Sequence, residues 1–362
     1  MSVPAERLAR ARARMAELDV DALLLSVGPD LPWLTGYEAM PLERLTMLVV
    51  RPDGDPVLLV PRLEAPRVDL AGATFALETW DETDDPVARV AALVGGAARP
   101  AIGDQTWARF VLALQTALPA ARFSSAGAVL APLRAVKDAA EIAALGRAGA
   151  VVDAVATSLR DTAFAGRREI DVHREIVERL LAGGHDRVNF AIVAAGENAA
   201  SPHHEPGSRV IAEGDVVLCD FGGTLDGVCS DITRMFVVGE PSAEVADAYA
   251  VLVEAQEAGV RAATVGTLCS AVDAAARAVI EAAGFGEQFV HRTGHGIGAE
   301  AHEDPYLVAG NDTPLVAGNA FSIEPGIYVA GRWGMRLEDI VVATDDGPVR
   351  CNHAARDLAI VA

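Results

Sequence analysis

Short apolar runs and longer amphipathic stretches alternate along the first third of the chain. Residues 22–26, 45–50 and 57–60 are near-continuous apolar runs of strand length. Residues 86–94 and 108–118 instead space their apolar positions three and four apart, as helices do. Strands interleaved with helices predict an α/β N-terminal part built on a mixed sheet. Leu8, Ala11, Met15 and Leu18 fall on one helical face, with Arg7, Arg10, Arg12 and Arg14 among them. That pattern predicts a folded helix rather than a secretory leader. Residues 32–37, PWLTGY, read as a turn packed by Trp33 and Tyr37.

The pattern changes near residue 133. Ile142, Leu145, Val152, Val155 and Leu159 lie near one face of a helix, and a second helix is predicted over 169–182. His173 within it reads as a surface or packing residue. A strand follows over 188–194. The same plan then returns, with helices over 243–263 and 270–283 and short β-rich runs after them. Two domains are expected, 1–132 and 133–362. No apolar run approaches the roughly 18 residues of a membrane span.

The acids in the β-rich runs carry the chemistry. Residues 216–219 form an apolar run that ends on Asp220, and after a Gly-Gly turn Asp231 opens the run 232–238. Such a pair reads as a hairpin. Its two acids could be turn or capping residues, or they could face a cation, because like charges on paired strands are costly to bury. A second, similar arrangement favours the cation. Glu324 ends the apolar run 320–323 before Pro325-Gly326, and Glu338 starts the run that continues to Val342. Between the two pairs stands His295, fenced by Gly294 and Gly296, which let backbone approach closely. Four carboxylates and one imidazole are a mostly hard ligand set, suited to Mn²⁺, Co²⁺, Fe²⁺ or Zn²⁺. Their four charges balance two divalent ions, which together can activate one water for hydrolysis.

Composition narrows the class. The 51 acidic against 30 basic residues give a net charge of −21, which argues against nucleic-acid or anionic-membrane binding as a main role. Cys219, Cys229, Cys269 and Cys351 form no CxxC pair and read as buried thiols of a reducing compartment, so a cytoplasmic location is expected. No GxSxG nucleophile motif is present.

The motifs DFGGTLDGVCSDITR, GHGIG, SIEPGIY and RLED together resemble those of the pita-bread metallopeptidases, in the branch of Xaa-Pro dipeptidase (prolidase) and aminopeptidase P. The resemblance runs from about Leu133 to the C-terminus and more weakly through the N-terminal region. It implies an α+β pita-bread catalytic domain with pseudo-twofold symmetry, preceded by a creatinase/prolidase-like domain. It implies that Asp231 and Glu338 bridge two metal ions, that His295 and Glu324 complete one shell and Asp220 the other, and that Glu324 is the general base. His203, seventeen residues before Asp220, matches a substrate-contacting histidine; His204 does not. His302 matches a histidine that steadies the tetrahedral intermediate. Arg336 is expected either to pair with a ligand carboxylate or to meet a substrate carboxylate. Tyr306 stands where prolidases often carry a basic residue.

The expected activity is hydrolysis of the bond before proline in short peptides, as a dipeptidase, with Mn²⁺ or Co²⁺ and a homodimeric assembly. Aminopeptidase P activity is the alternative, and a non-peptidase metalloenzyme acting on a small amino-acid derivative is a further one.

Overall fold

The strand-length apolar runs of the first third build one six-stranded sheet. In spatial order its strands are Ala76–Trp80, Val57–Pro61, Met47–Val50, Ala22–Leu25, Pro100–Ile102 and Ser124–Ser125. The three innermost contacts include antiparallel pairs, while the outer contacts are parallel, so the sheet is mixed. Successive side chains point to opposite faces, and both faces are covered. Leu23, Leu25 and Leu48 pack with Met15 and Leu31 on one side. Leu24, Met47 and Leu59 pack with Val90, Phe110 and Leu114 on the other. Burial on both faces is why these strands read as unbroken apolar runs.

Residues 32–37 are not a simple turn. They lie mostly in a short helix, Asp30–Thr35, which Gly36 ends at a positive φ of 74°. Trp33 and Tyr37 are buried, as expected.

The computed structural model describes residues 3–362, which divide into one unit ending at Arg134 and a second from Ala135 to Ala362. The second unit uses one plan twice. Helices Ala139–Leu159 and Glu169–Ala182 precede a sheet centred on Val216–Leu225, flanked by Arg187–Ala195 and Ile232–Val238, both antiparallel. Helices Ala243–Ala262 and Cys269–Ala282 precede a sheet centred on Ala320–Ile323, flanked by Gly294–Gly296 and Asp339–Thr344. An isolated antiparallel bridge, Thr233 with Glu338, joins the first sheet to the segment entering the strand Asp339–Thr344.

The helix Ala139–Leu159 begins at a reciprocal cap. The Asp138 carboxylate accepts from the Glu141 N–H, and the Glu141 carboxylate accepts from the Asp138 N–H, each at 2.9 Å. Such a cap is worth about 1 kcal/mol. At 21 residues this helix is long and apolar enough to cross a membrane by length and composition, although polar residues such as Arg147 and Asp153 break it into short apolar runs. Its apolar face is used within the fold: Val152, Val155 and Leu159 pack against Val217, Cys219 and Phe236 of the first sheet.

Both acid-bearing segments differ from simple hairpins. Gly222 and Gly223 do not turn; they lie inside the strand Val216–Leu225. A side chain at Gly222 would meet the Ser230 carbonyl oxygen at 2.0 Å, and one at Gly223 the Arg187 oxygen at 2.5 Å. The chain turns instead at Asp226-Gly227, both at positive φ. In the second segment a separate hairpin, Gly326–Val329 with Trp333–Arg336, is inserted between Glu324 and Glu338. The strand that follows Glu338 then pairs with Ala320–Ile323.

Candidate metal centre

Three of the acids flank a strand end, and the fourth lies within a strand of the second unit. Asp220 lies within its strand opposite Thr233, and Asp231 occupies the residue before Ile232. Glu324 follows Ile323, and Glu338 precedes Asp339. His295 is the middle residue of Gly294–Gly296. The glycines beside it are required sterically: side chains there would lie 1.9 Å from the Ser322 oxygen and 2.2 Å from the Asp304 oxygen.

These residues meet. Ligand atoms of Asp231, His295 and Glu338 all lie within 4.8 Å of one another. His295 Nε2 is 3.2 Å from Glu324 Oε1 and 3.9 Å from Asp231 Oδ2. Asp220 joins through Arg336, whose Nη2 donates to Asp220 Oδ2 at 2.5 Å, while its Nε lies 3.9 Å from Glu324 Oε2.

The electrostatics of this cluster favour bound cations. Burial, and then the charges of Glu338, Asp220 and Glu324, push the Asp231 carboxyl well above the ordinary range. Burial, and then Glu324 and Asp220, do the same to Glu338. Oδ1 of Asp220, Oδ1 of Asp231 and Oε1 of Glu338 are buried and accept no hydrogen bond. Buried carboxylate oxygens without donors are costly. Oxygens of this kind, with one imidazole, are the donor set of hard and borderline divalent ions. The residues therefore fit divalent metals. Asp220, Asp231, His295, Glu324 and Glu338 are those able to hold them.

His295 is prepared for the task. Burial above all pulls its pKa down to about 4, so the ring is neutral at physiological pH. Its Nδ1 faces the Gly296 carbonyl at 3.1 Å, which leaves Nε2 towards the acids.

An outer layer fixes the ligands. The Thr233 hydroxyl donates to Glu338 Oε2 at 2.7 Å, and the Ser322 hydroxyl donates to Glu324 Oε1 at 3.0 Å. Arg234 donates to the Glu338 carbonyl at 2.7 Å and to Asp339 Oδ1 at 2.7 Å. Buried Asp273 accepts from the Thr293 N–H at 3.0 Å, two residues ahead of His295. Tyr328 links the cluster to its rim: its hydroxyl accepts from Arg336 Nη1 at 2.7 Å and lies 2.9 Å from His291 Nε2. Of these supporting residues only Arg336 is expected from the sequence; Thr233, Ser322, Arg234, Asp273 and Tyr328 are not. Thr233 and Arg234 stood within the quoted DITR stretch, so adjacency to Asp231 was the available signal.

The remaining candidates lie at the rim. His302 is solvent-exposed at one edge, but its ring centroid is 3.9 Å from that of His295. Partial desolvation, and then the neighbouring imidazole, lower its pKa. His203 is exposed on the loop after the strand Arg187–Ala195, close enough for its charge to weigh on His291 and His302. Arg336 is buried and turned onto Asp220, Thr233, Tyr328 and the Pro202 carbonyl. Arg292 had not been singled out in the sequence. Its guanidinium lies 4.5 Å from the centre of the Tyr306 ring, and it makes no ion pair among the described residues. His173 is a packing residue, its Nδ1 2.6 Å from the Ala191 oxygen.

The fold and this ligand set are those of a metallopeptidase. The pattern of metallopeptidase family M24 matches residues 143–345, and that of the creatinase/prolidase N-terminal domain matches residues 7–136. The chain is 45% identical to the probable dipeptidase PepE of Mycobacterium tuberculosis, over 99% of this chain and 97% of that one. It is 35% identical to the Xaa-Pro dipeptidase of Lactobacillus helveticus, over 91% and 92%. The crystal structure of dipeptidase PepE from Mycobacterium ulcerans superposes with a TM-score of 0.92 at 44% identity, covering 99% of this chain and 98% of that one. The chain belongs to metallopeptidase family M24, and it is a peptidase.

Proposed function

We propose that this protein is a two-metal Xaa-Pro dipeptidase. The observation that carries the reading is the convergence of Asp231, Glu324 and Glu338 on one neutral imidazole, with Asp220 tied to them through Arg336 and three buried carboxylate oxygens left without donors. Divalent cations held by Asp220, Asp231, His295, Glu324 and Glu338 would supply an acidified water and polarise the scissile carbonyl. Mn²⁺ or Co²⁺ suits this hard oxygen set, with Zn²⁺ or Fe²⁺ also compatible.

The protein's own groups then have separable tasks. Glu324 is the least buried of the cluster acids, with 14% of its side chain open, and it receives the proton of the attacking water. His302 and His203, at the rim, orient the scissile carbonyl and stabilise its developing charge. Arg336 holds Asp220 in place and does not face outward. Arg292 is the cation left for the free carboxylate of a dipeptide. The names of the Lactobacillus helveticus and PepE relatives support the dipeptidase assignment. We place the enzyme in the cytoplasm as a homodimer; four buried free cysteines support a reducing compartment.

The deciding experiment is a panel of Xaa-Pro dipeptides, longer Xaa-Pro peptides, non-prolyl dipeptides and small amides, assayed with Mn²⁺-loaded enzyme. Preference for Xaa-Pro dipeptides is expected. Turnover of amides alone would overturn the reading.

A further inference from the structure

A fully buried carboxylate outside the metal cluster holds the loop that carries His203. Glu169 opens the helix Glu169–Ala182 and has no exposed surface. Its Oε1 accepts from the Ala195 N–H at 2.9 Å and from Asn198 Nδ2 at 3.0 Å. Its Oε2 lies 2.9 Å from His204 Nε2 and accepts from the Gly207 N–H at 3.3 Å. The main chain adds two further ties, Glu169 N–H to the Arg209 oxygen and Ile170 N–H to the Gly207 oxygen, each at 3.0 Å. One side chain thus grips the loop at its start, middle and end.

His203 lies between two fixed points. On one side the Pro202 carbonyl is 3.4 Å from Arg336 Nη1, the same guanidinium that holds Asp220. On the other side the His204 ring is docked on Glu169. Among the described residues no Lys or Arg pairs with Glu169, and the His204 ring is the one that faces it. A buried carboxylate is a costly way to tie down a loop, since neutral groups can satisfy backbone donors. The cost makes sense where the loop's position matters to chemistry.

We propose that Glu169, acting through His204, is a positioning residue that sets the place of His203 in the active site. The proposal rests on the reading of His203 given above. Glu169→Gln keeps the shape but, whichever way its amide turns, sets an N–H₂ against donors, those of Ala195 and Asn198 or those of His204 and Gly207. His204→Ala removes the same tie at a part-exposed site that the fold tolerates more easily.

The test is a double-mutant cycle on kcat/KM for Ala-Pro with Mn²⁺-loaded enzyme. Glu169→Gln and His204→Ala are each expected to lower kcat/KM by up to roughly 10²-fold in the natural background, the scale of a misplaced catalytic contact. Metal content by elemental analysis stays at the natural level. In a His203→Ala background the same changes cost less than about twofold, because the residue they place is gone. Equal losses in both backgrounds, or losses that follow metal content, would overturn the proposal. If Glu169→Gln does not fold, the His204→Ala arm decides alone. Unchanged kcat/KM in His203→Ala overturns the proposal and the role of His203 together, while metal dependence of the same samples shows whether the metallopeptidase reading stands.

Discussion

The Thr233 hydroxyl donates to Glu338 Oε2 at 2.7 Å across 105 residues of chain. Thr233 belongs to the first sheet and Glu338 to the approach to the strand Asp339–Thr344 of the second, so this bond crosses the seam between the repeated halves. The same oxygen of Thr233 accepts from Arg336 Nε at 3.2 Å. A ligand carboxylate whose free rotation is stopped in this way binds metal with less entropy to lose. Thr233→Val keeps the shape and removes both bonds. Metal affinity, read by competition with a chromophoric chelator, is expected to fall by roughly 10- to 100-fold. Natural affinity in a folded variant would show that Glu338 needs no such partner.

Asp231 is the acid most surrounded by other acids, and its Oδ1 has no donor. Asp231→Asn removes one charge and one anionic oxygen from the centre of the set. Elemental analysis is expected to show loss of binuclear occupancy, not merely a slower enzyme. In the natural protein, chelation is expected to abolish activity and Mn²⁺ or Co²⁺ to restore it. Full activity in metal-free protein would refute the metal reading.

Glu324→Gln is expected to lower kcat by at least roughly 10²-fold, the scale of a lost general base. The readout is kcat at matched metal content. Normal turnover with metal bound would remove Glu324 from the proton transfer.

The raised carboxyl pKa values give a pH prediction with a definite sign. In the metal-free protein Asp231 and Glu338 hold protons that the unfolded chain releases near the ordinary values of 3.8 and 4.5. Their contribution to stability is therefore full below those values and is lost as pH climbs through the raised ones. Bound metal reverses the preference, since it requires both groups ionised. The rise in Tm produced by saturating Mn²⁺ is expected to grow with pH above about 5. Calorimetry in buffers of different ionisation enthalpy is expected to show protons released on binding. An increment that shrinks as pH rises would contradict both assignments.

Much of this site could be read from the chain because a polar ligand set into a β-rich run leaves a local trace. Asp220, Asp231, Glu324 and Glu338 each interrupt an apolar β-rich run, and His295 stands between glycines. The path between the ligands was harder to read. Gly222-Gly223 has the composition of a turn, yet the strand continues through it because only glycine admits the Ser230 carbonyl at that distance. The hairpin inserted before Glu338 consists of two four-residue strands, too short to show a period. Glu169 left no trace, because an acid at a helix start has an ordinary local explanation. Its partners lie 26 to 38 residues away, beyond any local pattern.

Substrate length turns on where positive charge faces the cleft. Proline at the second position lacks an amide N–H and has a fixed φ, so the bond before it resists ordinary peptidases. A dipeptidase must also meet the free carboxylate of that proline, whereas an aminopeptidase leaves this side open. Arg336 had been one candidate for the contact, but its donors are turned inward to Asp220, Tyr328 and Thr233. Arg292 is three residues before His295, rests on the Tyr306 ring and makes no ion pair among the described residues. Stacking on an aromatic face holds a guanidinium in place while leaving its N–H edge free for an anion. Three substrates separate the cases: Ala-Pro, its C-terminal amide and Ala-Pro-Ala. Amidation is expected to lower kcat/KM by about 30-fold, or about 2 kcal/mol, the scale of a lost charge-assisted hydrogen bond. Arg292→Gln is expected to raise KM for Ala-Pro and to leave the amide nearly unaffected, so the penalty for amidation largely disappears. Equal or faster cleavage of Ala-Pro-Ala by the natural enzyme would make it an aminopeptidase. A penalty that survives Arg292→Gln would assign the carboxylate to another group.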